Sequence, residues 1–213
     1  MRRFFRRFTV YDLVIMAIMA AIGIAIKPVV VPLAHLITGP LMIPSGALAG
    51  GLYMMWLVIG YGIVRKPGTS TLIALVQAIL VVITGVVGSH GVLSFFTYLM
   101  PGLVMDLLLL VTGHRVCCRG CAVMSGLAAN VTGTVCVNVV FFQAPGVYLI
   151  LILAVAALSG AVGGLIAWQL LEVMDRYHMI GGSRGRRRRK LSRNGKEAEA
   201  GGGMPREGGG SDA

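Results

Sequence analysis

The chain has 213 residues, of which 56% are hydrophobic and only 13% are charged, and its mean hydropathy is +0.83. A soluble domain carries about twice that fraction of charged residues, so a soluble globular fold is excluded. The net charge of +11 does not indicate nucleic-acid binding, because the basic residues lie between and after apolar segments, where membrane topology places them.

Six apolar segments are each about long enough to cross a bilayer. We therefore predict an all-α, polytopic membrane protein with six transmembrane helices, over Val10–Ile26, Leu41–Val64, Thr71–Val87, Val92–Val111, Cys121–Phe142 and Val147–Val173. The segment Lys27–Pro40 between the first two spans contains prolines at 28 and 32, which disfavour a regular helix. We predict that this segment is a re-entrant or interfacial loop.

The basic residues predict the orientation. With six spans, 18 of the 19 Lys and Arg residues fall on one side of the membrane, and only Lys27 falls on the other. The positive-inside rule then places both termini in the cytoplasm, in a multi-pass protein of the plasma membrane. The carboxylates follow the same asymmetry, because Asp12, Asp106, Glu172 and Asp175 lie near the cytoplasmic ends of their spans, and the outer half has none.

Composition divides the chain into two regions. We predict a membrane domain over residues 1–180 and a disordered cytoplasmic tail over residues 181–213. The tail is rich in arginine and glycine and has too little apolar surface to form a core. Its basic run, Arg186–Lys190, either interacts with anionic lipid headgroups or only sets the topology.

Polar and aromatic side chains within the spans are candidates for a binding site, because polar groups are costly to bury in a membrane. Asn130, Thr134 and Asn138 are spaced four apart and share one helix face, which either pairs with other helices or lines a cavity. We predict an outward-facing pocket that binds a small molecule. The residues predicted to bind the substrate are Tyr53, Trp56, Gln77, His90, Tyr98, Asn130 and Asn138.

The charges around this pocket favour a neutral heteroaromatic substrate. A strongly cationic ligand has no carboxylate in the outer half as its counter-ion. An anionic group on the substrate would be tolerated by Lys27, His35 and His90.

Two other motifs contain residue types that can bind a metal or act in catalysis. The loop His114–Cys121 contains a Cys-x-x-Cys pair, but its neighbours are basic and a second cysteine pair is absent from the sequence, so we predict no metal site. Ser45 with a distant histidine has the residue types of a serine–histidine pair, without other supporting features. The sequence has no phosphate-binding loop of the Walker type, and we predict neither cofactor nor catalytic residue.

A stripe of small residues runs along the first span. Ala17, Ala21 and Ala25 lie four apart on one helix face, which permits close approach of another helix. The partner helix belongs either to this chain or to another subunit.

The sequence resembles the substrate-binding S components of energy-coupling factor (ECF) transporters. The resemblance covers about residues 9–173, and its motif-like part lies between Arg65 and Asp106. That part looks like the branch assigned to hydroxymethylpyrimidine or thiamine precursors. It includes Arg65-Lys-Pro-Gly-Thr-Ser-Thr-Leu, Gln77, Gly88-Ser-His-Gly91 and Leu99-Met-Pro-Gly-Leu-Val-Met-Asp106.

The resemblance implies a non-enzymatic subunit of an ECF-type ABC importer that captures a vitamin or vitamin precursor. It also implies that Ala17, Ala21 and Ala25 dock onto a transmembrane coupling subunit, which two ATPase subunits drive. Gln77 stands where the pyrimidine branch tends to have a glutamate, which argues against a cationic, thiamine-like substrate. Two alternatives stay open: an intramembrane enzyme that uses Ser45 or the cysteines, and a structural or assembly protein without a ligand.

Overall fold

The computed structural model describes residues 8–41, 43–85, 93–113, 116, 118–143 and 145–177. The chain divides into two compact units, Met1–Val173 and Met174–Ala213. The account below concerns the first unit, and of the second only the end of the last helix is described. The predicted disordered tail therefore lies outside the described residues, as do the arginines that precede the first span.

The described residues form helices and no strand, which confirms the all-α prediction for that part of the chain. A 3₁₀ turn over Gly39–Leu41 and a π-helical turn over Asn138–Phe142 interrupt the series. In chain order the helices are α1 (Val10–Ala25), α2 (Lys27–Thr38), α3 (Ser45–Val64), α4 (Thr69–Thr84), α5 (Ser94–Val111), α6 (Arg119–Val137) and α7 (Gly146–Arg176).

Five helical segments are long and apolar enough to cross a membrane, so the chain is a multi-pass membrane protein. One of them is Val10–Thr38, which comprises α1 and α2, and the others are α3, α5, α6 with the following turn, and α7. Helix α4 is also apolar but has only 16 residues. The count of six spans and the cytoplasmic position of both termini stay predictions.

The prediction that Lys27–Pro40 is a loop rather than a regular helix is wrong, because residues 27–38 form helix α2. Pro28 lies in the first turn, where the missing N–H would have had no helical partner. Pro32 lies inside the helix with its ring exposed, and the flanking turns retain the helical backbone. Ile26 joins α1 to α2 with right-handed helical dihedral angles, so the two helices follow each other directly.

A capping box and an ion pair fix the beginning of α1. The Thr9 hydroxyl accepts a hydrogen bond from the Asp12 backbone, and the Thr9 backbone N–H donates to Asp12 Oδ2 over 2.7 Å. The ammonium of Lys66, in the connection between α3 and α4, forms an ion pair with the same carboxylate. Together these contacts tie the first helix to the α3–α4 connection.

Asp106 joins α5 to the beginning of α4. Its carboxylate accepts hydrogen bonds from the backbone N–H of Thr71, over 2.7 Å, and from the Thr71 hydroxyl. A carboxylate at a helix N-terminus compensates the unpaired backbone donors and the positive end of the helix dipole. Both contacts lie at the end of the bundle that the charge pattern assigns to the cytoplasm.

Glycines allow α3, α6 and α7 to approach closely. A Cβ atom on Gly163 of α7 would lie 2.1 Å from the carbonyl oxygen of Gly51 in α3. A Cβ atom on Gly126 of α6 would lie 2.4 Å from the carbonyl oxygen of Gly160 in α7. Ser159 adds side-chain hydrogen bonds, accepting from the Gly51 backbone N–H over 3.1 Å and donating to the Leu48 carbonyl. Small residues promote association in lipid because backbones then pack directly against each other.

Replacing Gly163 by alanine is expected to destabilise the helix bundle. The added methyl group would overlap the α3 backbone, and overpacking of this kind costs about 1–3 kcal/mol. The Gly163→Ala variant should therefore unfold at a lower temperature than wild type when both are heated in the same detergent.

Gly146→Ala is the matched control on the same helix, because a Cβ atom at Gly146 has no neighbour within 4 Å. Equal melting temperatures for the two variants would contradict close packing of α7 on α3.

Candidate functional site

A cavity of about 390 Å³ lies among helix ends at one end of the bundle. The charge pattern assigns this end to the outside of the membrane. The volume falls within the range of small-molecule sites. Its lining comes from α2, the first half of α3, the beginnings of α5 and α7, and the end of α6.

Helix α2 forms one wall of the cavity. Lys27, Val31, His35 and Gly39 line it at intervals of four residues. That interval places them on one face of a helix. Helix α2, which the sequence predicted to be a loop, therefore forms a continuous wall of the cavity.

The ammonium of Lys27 lies between two aromatic rings in this cavity. Its Nζ atom is 4.5 Å from the ring centroid of Tyr53 and 4.1 Å from that of Tyr98. Both distances fall in the range of cation–π attraction. Lys27 is only 4% exposed.

Neutral polar side chains lie on other parts of the wall. Ser45, Thr97, Thr134 and Asn138 all line the cavity. Asn138 is 5% exposed, and its Nδ2 atom has no hydrogen-bond partner among the described residues. Asn138 is also the first residue of the π-helical turn, a local irregularity that often accompanies functional sites. An unpaired buried donor is costly, so Asn138 is well placed to bond to a ligand.

The structure brings three of the predicted site residues together. Tyr53, Tyr98 and Asn138 line the cavity. Trp56, Gln77 and Asn130 do not appear among its lining residues. His90 lies outside the described residues.

Asn130 instead connects three helices. Its Nδ2 atom donates to the carbonyl oxygens of Ala47 in α3, over 3.1 Å, and Ala156 in α7, over 2.8 Å. The side chain also fills the space beside Gly50, where a Cβ atom would lie 1.7 Å from Asn130 Oδ1. Gln77 occupies a similar position against Gly23 of α1, where a Cβ atom would lie 2.2 Å from its Nε2 atom.

Sequence reasoning did not include Lys27 or Ser45 among the predicted site residues, although both line the cavity. For Lys27 a signal was available, because it is the one basic residue that the predicted topology places outside. For Ser45 the sequence holds no comparable signal. Its position depends on where α3 begins, which is after Pro44.

The described cysteines, Cys118, Cys121 and Cys136, do not line the cavity. The Sγ atoms of Cys118 and Cys121 are 3.4 Å apart at the beginning of α6, while the cavity is lined by the end of that helix. His114 and Cys117 lie outside the described residues. Within the described ranges, the His, Cys, Asp and Glu side chains form no group of three that could hold a metal ion.

The fold and the cavity together define a multi-pass membrane protein with a cavity of small-molecule size at one end. Residues 11–132 match the family described as "ABC-type cobalt transport system, permease component", and the chain belongs to that family. The fold is similar to the crystal structure of an S-component of an ECF transporter, with a TM-score of 0.67 over 92% of this chain and 100% of that one. The two sequences are 18% identical, so this likeness concerns the fold.

No curated protein matches the sequence. The family and the fold both belong to transporter components rather than enzymes, which supports a substrate-binding transporter subunit and disfavours the intramembrane enzyme. The expected fold of an ECF S component is confirmed, and the family match confirms a component of a transport system. The hydroxymethylpyrimidine or thiamine-precursor branch stays a prediction.

Exchanging Asn130 for alanine is expected to lower stability. The change removes two hydrogen bonds that cross between helices and leaves a void beside Gly50. Loss of buried hydrogen bonds of this type costs about 1–3 kcal/mol. Thermal unfolding in detergent would measure the loss.

Asn138→Ala serves as the comparison, because the Nδ2 atom of Asn138 has no hydrogen bond to lose within the described residues. Its melting temperature should stay near that of the wild type. A larger drop for Asn138→Ala than for Asn130→Ala would contradict the structural role of Asn130.

Proposed function

We propose that this protein is the substrate-capture S component of an ECF-type ABC importer in the plasma membrane. It binds a vitamin or vitamin precursor from outside and delivers it through a transmembrane coupling subunit that two ATPase subunits drive. The observation that carries this proposal is the cavity of about 390 Å³ at the predicted outer end, lined by tyrosines and neutral polar groups. The family and the fold support it.

The lining favours a small heteroaromatic substrate with several hydrogen-bonding atoms. Tyr53 and Tyr98 supply aromatic surface, and Thr134 and Asn138 supply neutral donors and acceptors. A ring of the hydroxymethylpyrimidine type matches these groups. An analogue that lacks one hydrogen-bonding atom would leave a buried polar group unpaired, which is the usual source of strong discrimination.

The buried ammonium of Lys27 argues against thiamine itself as the substrate. A positively charged ring in the cavity would be repelled by Lys27, which already lies against both tyrosine rings. Among the described lining residues, Asp and Glu are absent. We therefore favour a precursor without a positive charge over the cationic vitamin.

We propose that Ala17, Ala21 and Ala25 form the docking face for the coupling subunit. All three are exposed, whereas Met16 and Ala20 belong to the buried side of α1. An exposed stripe of alanines on a membrane helix permits close contact with a helix of another subunit.

A metal ion is the alternative substrate to test, since the family description names cobalt transport. Divalent transition-metal ions prefer imidazole, thiolate and carboxylate ligands. The described cavity lining offers one histidine, His35, and the same wall carries the ammonium of Lys27, about two helical turns away. This lining supports an organic substrate better than a metal ion.

The protein would be purified in mild detergent from the cells that make it. We expect it to carry one equivalent of a small organic molecule and to co-purify with a membrane partner and ATPases. Mass spectrometry of small molecules and of proteins in one sample would identify all of them, and elemental analysis would measure cobalt. Ala21→Leu should reduce partner recovery by about ten-fold, or about 1.4 kcal/mol of association free energy, while the small molecule stays bound.

Ala154→Leu is the matched control, because Ala154 is an exposed alanine on α7 outside the proposed docking face. Equal loss of partners in both variants would contradict the docking face. Recovery of cobalt without an organic molecule would overturn the vitamin proposal, and recovery of neither ligand nor ATPases would favour a structural or assembly role.

A further inference from the structure

We infer that the substrate of this cavity is a small aromatic carboxylic acid bound as its monoanion, with the carboxylate on the ammonium of Lys27. The inference rests on the proposed function, since it specifies the charge of the molecule that the cavity captures. It changes the expected substrate from a neutral ring to a ring that carries one negative charge.

The first observation is that Lys27 is buried without a charged partner. It is 4% exposed, and among the described residues its ammonium forms neither an ion pair nor a hydrogen bond with the protein. Its described contacts are the faces of Tyr53 and Tyr98. Burying an ammonium is costly unless it is paired and hydrogen-bonded, and ring faces provide only part of that compensation.

The second observation is that the three described carboxylates of the first unit lie elsewhere. Asp12 is paired with Lys66 at the beginning of α1, and Asp106 accepts hydrogen bonds from Thr71. Glu172 lies 20 residues after the cavity residue Ile152 on α7, which corresponds to about 30 Å along the helix. These groups are therefore not available to pair with Lys27 in the cavity.

The third observation is that Lys27 lines a partly open cavity that is large enough to hold a ligand. Lys27 lines the same cavity as Thr134 and Asn138, whose neutral groups suit ring heteroatoms. An anion on Lys27 would place the rest of a planar molecule against the tyrosines and these polar groups. The buried amide Nδ2 of Asn138 is then a second anchor.

The number of cations decides between a carboxylate and a phosphate. Lys27 is the one Lys or Arg side chain among the described residues that line the cavity. A single ammonium balances the one charge of a carboxylate, while a phosphate monoester carries close to two charges at neutral pH. The carboxylate is therefore the better match.

Three probes with the same ring separate the possibilities. They are hydroxymethylpyrimidine, the same pyrimidine with a carboxylate in place of the hydroxymethyl group, and hydroxymethylpyrimidine monophosphate. Their affinities for the purified full-length protein would be measured by calorimetry, and any molecule released from the protein as isolated would be identified by mass spectrometry. We expect the carboxylate to bind at least about ten-fold more tightly than the alcohol, because only the carboxylate pairs with the buried ammonium.

Substitutions of Lys27 then test whether its ammonium causes the preference for the carboxylate over the alcohol. Lys27→Met keeps an apolar stem of similar length and should weaken carboxylate binding by about 100-fold, and alcohol binding by a much smaller factor. Lys27→Arg keeps the charge and should retain the preference for the carboxylate. Lys66→Met, which removes a lysine of the α3–α4 connection beside the beginning of α1, should leave all three affinities unchanged.

The outcomes separate this inference from the proposed function. Tighter binding of the alcohol, or a carboxylate preference that survives Lys27→Met, would overturn the inference and leave the capture of a small molecule intact. Tightest binding of the phosphate would overturn the assignment of a carboxylate. If none of the probes binds and the isolated protein releases no organic molecule, the proposed function and the inference both fail.

The molecule released from the isolated protein gives a separate test. A released neutral molecule overturns the inference alone, and a released aromatic acid that is lost in Lys27→Met supports it.

Discussion

The close contact of α3, α6 and α7 is the constraint on which the cavity depends. In lipid, apolar side chains gain little by moving from the bilayer to a helix interface, so packing and hydrogen bonds must hold helices together. Here Gly51, Gly126 and Gly163 let backbones meet, and Asn130 and Ser159 bond to carbonyl groups across the contact. Tyr53 in the first half of α3, Asn138 directly after α6 and Ile152 near the beginning of α7 line the cavity wall. Because the helices are fixed to each other below the cavity, its lining side chains have defined positions.

The two ends of the bundle differ in whether their charged side chains have a described partner of opposite charge. At the predicted cytoplasmic end, Asp12 pairs with Lys66 and Asp106 compensates the beginning of α4. Three residues of the motif between Arg65 and Asp106 therefore have an architectural explanation: Lys66, Thr71 and Asp106 form contacts that join helices at that end. At the other end, the ammonium of Lys27 lies between two tyrosines without a described anionic partner. The paired charges at the first end stabilise the contacts between helices. The unpaired buried ammonium at the other end is available to bind an anionic group of a ligand.

Hydropathy predicted the helices of this protein well, with ends within a few residues of those observed, because burial in lipid requires long apolar runs. It failed for α2, where two prolines indicated a loop. Residue spacing was less informative for the site. The spacing of Asn130 and Asn138 correctly placed both on one face, but spacing does not identify what each side chain meets. Asn130 meets Gly50 and two backbone carbonyls, whereas Asn138 meets the cavity. That difference arises from helix packing between residues about 80 positions apart, which a single sequence does not display.

The position of Lys27 relates substrate binding to partner binding. Residues 10–38 form one apolar helical segment, since α1 and α2 follow each other directly. The α1 part carries the exposed alanines 17, 21 and 25, and the α2 part carries Lys27, Val31 and His35 along the cavity wall. A substrate that pairs with Lys27 would therefore act on the same segment that we propose to dock onto the coupling subunit. A binding event can shift an equilibrium only through contacts that differ between two states. The ion pair between Lys27 and a substrate anion is a contact of that kind, because it forms only when the cavity is occupied.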